Sequence, residues 1–122
     1  MERSDRLGQE YTGTVPCFAF VRDVLAERGL VLPEFAYGSA EHAEALLRHL
    51  AEYGEKVVEP RDGDVVLFNS KGQAAHIGVM CGPTEFVHHD ERNGVSRERT
   101  TSFHWRSRIA GYFRPRIPEP VA

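Results

Sequence analysis

The spacing of apolar positions changes half-way along the chain. In TVPCFAFVRDVLAERG, Thr14 to Gly29, residues Cys17, Phe18, Val21, Val24 and Leu25 recur at intervals of one helical turn. Pro16 suits the first helical position, where no backbone N–H is needed, and Gly29 supplies the stop. The pattern predicts a helix with Cys17 in its first turn. A second helix is predicted from Ser39 to Tyr53: Ser39 caps it, Ala43, Leu46, Leu47 and Leu50 form its apolar stripe, and Gly54 ends it. His42 and His49 lie off that stripe, two turns apart, and read as surface residues.

After Pro60 the period falls to two. Strands are predicted at Asp64 to Phe68, His76 to Gly82, Glu85 to His89 and Val95 to Arg99, with a last one in RIAGYFRP, Arg108 to Pro115. PRDGD, NSKGQ, GPT and DERNG are the turns, and Asn93-Gly94 is the strongest hairpin signal. Helices first and an antiparallel meander afterwards make an α+β fold. No repeat interrupts it. The chain of 122 residues fits one domain over 1–116, followed by a Pro-containing tail, 117–122.

Composition narrows the function. Hydrophobic residues make up 41% and charged residues 27%, a globular mixture, and the net charge of −3 gives no electrostatic case for nucleic acid or a membrane surface. No stretch is long and apolar enough to span a bilayer. MERSDRLGQEY lacks the apolar run of a signal peptide, so the chain is expected to be cytoplasmic as synthesised, with any delivery to the cell envelope left to another machine. Two cysteines, Cys17 and Cys81, are too few for a disulfide framework or a four-cysteine zinc site.

The candidate chemistry follows from the pleat. On one strand His76, Gly78 and Met80 share a face; on the next, Phe86 and His88 share one, and His89 takes the other. The tight turn between the strands allows His76 and His88 to be neighbours. A thiol at a helix start and two histidines on adjacent strands form a nucleophile, a base and an orienting group. The helix N-terminus and a nearby imidazolium both favour a thiolate. Each residue also has an ordinary reading: Cys17 as packing, His76 as surface, and His88, His89 and Asp90 as an exposed turn or part of a metal site with His76. The metal reading is the weaker one, because His88 and His89 face opposite ways and no further ligand has recognisable spacing. Cys81 reads as packing and His104 as surface.

These pieces together resemble the NlpC family of papain-like cell-wall endopeptidases, in particular its phage-tail-type branch. They are YTGTVPCFAFVRDVL from Tyr11, GDVVLF from Gly63, HIGVMCG from His76, FVHHDERNGVSRER from Phe86 and the closing W-x-x-R-I-x-G-Y-F-R-P from Trp105. The resemblance covers nearly the whole chain in the family's order. It implies a papain-like core with the cysteine helix packed on an antiparallel sheet. It implies Cys17 as nucleophile, His76 as general base, His88 as the residue that orients the base, and Tyr11 as an aid to the oxyanion. The implied substrate is the peptide stem of peptidoglycan, cut without metal or cofactor, with phage-tail or secretion-system proteins as possible partners. The family's usual aspartate before the cysteine is Pro16 here. The small residue or tryptophan after it is Phe18, which is expected to border the substrate groove. The same fold also allows an acyltransferase or deamidase, or a tail or secretion component without turnover.

Overall fold

The computed structural model describes residues 7–8, 16–32, 48–70, 73–90 and 92–118. Helix α1 spans Pro16–Glu27. Its end follows from Gly29, at φ +95°, a left-handed turn that residues with a Cβ resist. Leu30 N–H then donates to Leu25 C=O and Gly29 N–H to Ala26 C=O, both at 3.0 Å, which satisfies two carbonyls of the last turn. Of the second expected helix, all but the end lies outside the described residues. Residues 48–50 are helical and the chain turns at 51–53. Gly54, read as a stop, instead opens a strand.

Six strands follow: β1 (Gly54–Val57), β2 (Val65–Ser70), β3 (Gln73–Met80), β4 (Glu85–Asp90), β5 (Gly94–Arg99) and β6 (Ile109–Pro115). They form one antiparallel sheet in the order β1-β6-β2-β3-β4-β5. The meander is therefore β2 to β5. β6 returns to the far side of β2, and β1, absent from the sequence-based reading, pairs with β6 at the edge. The β4–β5 hairpin turns at the expected place, with Gly94 at φ +66°.

The two sides of the sheet have different cores. Phe18, Phe20, Val21, Val24 and Leu25 of α1 pack on Val65, Leu67, Ile77, Val79, Val87 and Phe113. Val66, Phe68, Met80 and Phe86 face the other way, against Trp105 from the turn segment before β6. Val65 to Phe68 are buried on both faces, which is why β2 reads as an unbroken apolar run rather than an alternation. Buried Asp64 accepts from Arg114 Nη2 at 2.9 Å and Nε at 3.1 Å, and so ties β6 to the start of β2. Ile117 packs against the helix-side core, and Pro118 lies beside Gly29. The fold is α+β, with the cysteine helix laid on an antiparallel sheet.

Candidate active site

β3 pairs with β4 at Val79↔Val87 and Met80↔Phe86. Continued one step, that register sets His88 across from Gly78 and diagonally from His76, on the face that carries Trp105. The imidazoles meet there: His76 Nε2 and His88 Nδ1 are 2.5 Å apart. The approach depends on the residue between them. A Cβ on Gly78 would lie 3.0 Å from Val87 O and 3.2 Å from His88 Cβ, so any larger residue would push β4 and His88 back by a few tenths of an ångström.

The chain of contacts continues. His88 Nε2 lies 2.5 Å from Glu98 Oε2, and Trp105 Nε1–H donates to Glu98 Oε1 at 2.9 Å. Glu98 pairs across from Phe86 and Ser96 across from His88, so Glu98 is the diagonal neighbour of His88 on β5. The Trp105 ring stacks on His76 at 5.3 Å and meets His88 edge-on at 5.4 Å. Neither Glu98 nor Trp105 stands out as a site residue in the sequence. The alternation of β5 is the signal for Glu98, since it puts Ser96 and Glu98 on one face.

Burial pulls the His76 pKa from 6.5 to about 3, helped by His88 and Arg108 and opposed by Asp90. His88 is lowered as well, by burial first, with Glu98 pulling the other way. At neutral pH both rings are uncharged. The cationic imidazole expected beside the thiol is thus not the resting form of His76.

Cys17 is the second residue of α1, half-buried at the margin of the helix-side core. The imidazoles lie among the aromatic residues of the other face, so the thiol and the relay belong to different packing groups. Two anchors set the direction of the helix. Arg28 Nη1 donates to Gly63 C=O at 3.1 Å, and Gly63 N–H to Met80 C=O at 2.8 Å, which holds the end of α1 at the Met80 end of β3. Upstream, Gly8 N–H donates to Val95 C=O at 2.7 Å, beside the Asp90–Gly94 end of the β4–β5 hairpin. α1 packs against β3 and β4, and its 12 residues span about 18 Å. Its start therefore points to the end of the sheet that holds His76.

The remaining expected residues divide. Tyr11 lies outside the described residues. Phe18, expected at the edge of a groove, is 4% exposed and packs in the core under α1, because its position on the helix faces the sheet. Cys81 is half-buried against the same core, and neither cysteine is in a disulfide. His49 is exposed, and so is His104, which stacks edge-on against Trp105 and contacts Arg108 Nη1 at 3.2 Å. Asp90 accepts from Arg92 N–H and from Asn93 Nδ2, holding its own hairpin loop. Among the described residues no group of three or more His, Cys, Asp or Glu is arranged to hold a metal.

A helix-start cysteine with paired histidines on adjacent antiparallel strands has a counterpart among known families. The NlpC/P60 family profile matches residues 6–114. The chain belongs to the NlpC/P60 family. Relatives include the protein named murein DD-endopeptidase MepS/murein LD-carboxypeptidase in Escherichia coli strain K12, 29% identical over 104 residues, which are 84% of this chain and 50% of that one. Its counterpart in Escherichia coli O157:H7 matches to the same extent. The chain thus spans about half the length of these relatives. A crystal structure from Staphylococcus aureus Mu50, of a protein described as similar to a lipoprotein of the NLP/P60 family, superposes with a TM-score of 0.64. It is 18% identical, and the match covers 91% of this chain and 38% of that one. That likeness fixes the NlpC/P60 fold.

Proposed function

We propose that this NlpC/P60 chain is a thiol hydrolase that cuts an amide bond in the peptide stems of peptidoglycan. The observation that carries the proposal is the direct contact of His76 with His88 on adjacent strands, at the end of the sheet toward which the start of α1 points. Nε2 of His76 is engaged with His88, which leaves Nδ1 to serve the thiol.

In the first step Cys17 Sγ attacks the scissile carbonyl and its proton passes to His76 Nδ1. The tetrahedral intermediate collapses, the C–N bond breaks, and the amine leaves with the proton from His76. Water then gives a proton to His76 as its oxygen attacks the thioester. The proton returns to sulfur, and the carboxylic acid departs. Backbone N–H groups in the first turn of α1 are the donors available for the oxyanion. The bacterial relatives named as murein endopeptidases support the substrate class.

The test is mass spectrometry of purified peptidoglycan digested by the wild type and by Cys17→Ala. New stem-peptide fragments made by the wild type and absent with Cys17→Ala are the expected result, and their masses identify the bond. Fragments made equally by both proteins would contradict the role of Cys17. Product formed only with an added amine acceptor would mean acyl transfer instead of hydrolysis.

A further inference from the structure

We infer that Glu98 is a positioning residue that sets the tautomers of both histidines, and that it leaves His76 with its lone pair on Nδ1. The first half stands on geometry alone. The second matters for turnover only if His76 is the base proposed above.

The chain of hydrogen bonds starts at Glu98 on the edge strand β5 and runs inward. A carboxylate accepts hydrogen bonds and has none to give. Trp105 Nε1–H can only donate, and it occupies Glu98 Oε1 at 2.9 Å. The other oxygen, Oε2, faces His88 Nε2 at 2.5 Å. His88 must therefore carry its proton on Nε2. A neutral imidazole has one N–H, so His88 Nδ1 is left as an acceptor. His76 Nε2, 2.5 Å away, must then be the donor. That places the single proton of neutral His76 on Nε2 and the lone pair on Nδ1. Each bond leaves one choice for the next, and the order begins at Glu98.

Glutamine at this position has the same shape and inverts the order. Trp105 Nε1–H still requires an acceptor, so it holds the amide oxygen. The amide NH2 is then turned toward His88 Nε2. Two donors cannot face each other, so His88 moves its proton to Nδ1 and donates to His76 Nε2. His76 is left with its proton on Nδ1, on the side where a lone pair is needed. Glu98→Gln thus keeps the packing and reverses both tautomers. Trp105→Phe removes the donor that holds the amide. In the double variant the glutamine can turn its oxygen to His88 and restore the original order.

The experiment is long-range 1H–15N correlation NMR on the full chain, which tells a protonated ring nitrogen from an unprotonated one, alongside kcat and KM on peptidoglycan fragments. In the wild type His76 and His88 are both expected as Nε2–H. Glu98→Gln should convert both to Nδ1–H and lower kcat on the order of 10²-fold or more with little change in KM. Adding Trp105→Phe to Glu98→Gln should return Nε2–H signals and part of kcat, which a loss of general stability would not do. Unchanged Nε2–H tautomers in folded Glu98→Gln would overturn the inference. Tautomers that reverse while kcat stays at the wild-type level would uphold it and remove His76 from the role of base.

Discussion

His76 and His88 differ in what their loss should do. In the proposed mechanism His76 offers the nitrogen that accepts the thiol proton, and nothing else along the relay can replace it. His76→Ala should lower kcat by about 10³-fold or more. His88 only orients its neighbour, through one bond at 2.5 Å. A glutamine there can still accept from His76 Nε2, so His88→Gln should cost less, roughly 10- to 100-fold. Steady-state kinetics on isolated stem peptides compare the two, and near-normal turnover in His76→Ala would take it out of the mechanism. These residues were legible in the sequence because alternation along two short strands fixes which side chains share a face. Glu98 was not. In VSRER on an edge strand the charges read as a solvated face, and only the register that sets Glu98 across from Phe86 shows that its carboxylate reaches His88. The burial of Phe18 was hidden for a related reason. Its place beside the cysteine suggested a groove, while its helical phase turned it into the core.

Among the elements, α1 and the β2–β5 meander were legible because their signals are local: a helical period closed by glycine, and alternating runs joined by short turns. β1 and the placing of β6 were not, because both depend on pairing between distant segments. Gly54 pairs with Pro115, and no local pattern announces that partner. The same glycine gives a test of the sheet edge. A Cβ at Gly54 would stand 2.1 Å from Arg114 O and 2.6 Å from Phe113 Cζ. The nearest atom is backbone, so β1 would have to leave β6. Gly54→Ala should therefore destabilise the fold by roughly 2–4 kcal/mol. Urea unfolding checks this, and a change within about 0.5 kcal/mol would mean that β1 is not held there in solution.

At the scale of the whole molecule, the buried relay ties stability to pH. In the unfolded chain His76 titrates near 6.5, and in the fold at about 3. Between those values the unfolded state binds the extra proton. Stability is therefore full above about pH 6.5 and falls as the pH drops toward 3, with a limiting slope of about 1.4 kcal/mol per pH unit for this one group. His88, lowered as well, adds in the same sense. Thermal unfolding followed from pH 7 to pH 4 should show a falling midpoint, and His76→Asn should flatten the fall. A midpoint independent of pH over that range, or the same slope in His76→Asn, would mean that His76 is not buried as a neutral ring.

The central claim joins the two packing groups, the thiol under α1 and the imidazoles on the far face, into one reactive pair. Two cysteines outside any disulfide, on the same core, provide an internal comparison, because both are half-buried and only Cys17 lies at the start of a helix directed toward His76. Alkylation by iodoacetamide at neutral pH, followed by peptide mass spectrometry, reads their rates separately in the wild type and in His76→Ala. Cys17 should react well ahead of Cys81, and His76→Ala should slow Cys17 while leaving Cys81 unchanged. Equal, slow labelling of both cysteines in the folded protein, indifferent to His76, would contradict the account and return Cys17 to a packing role.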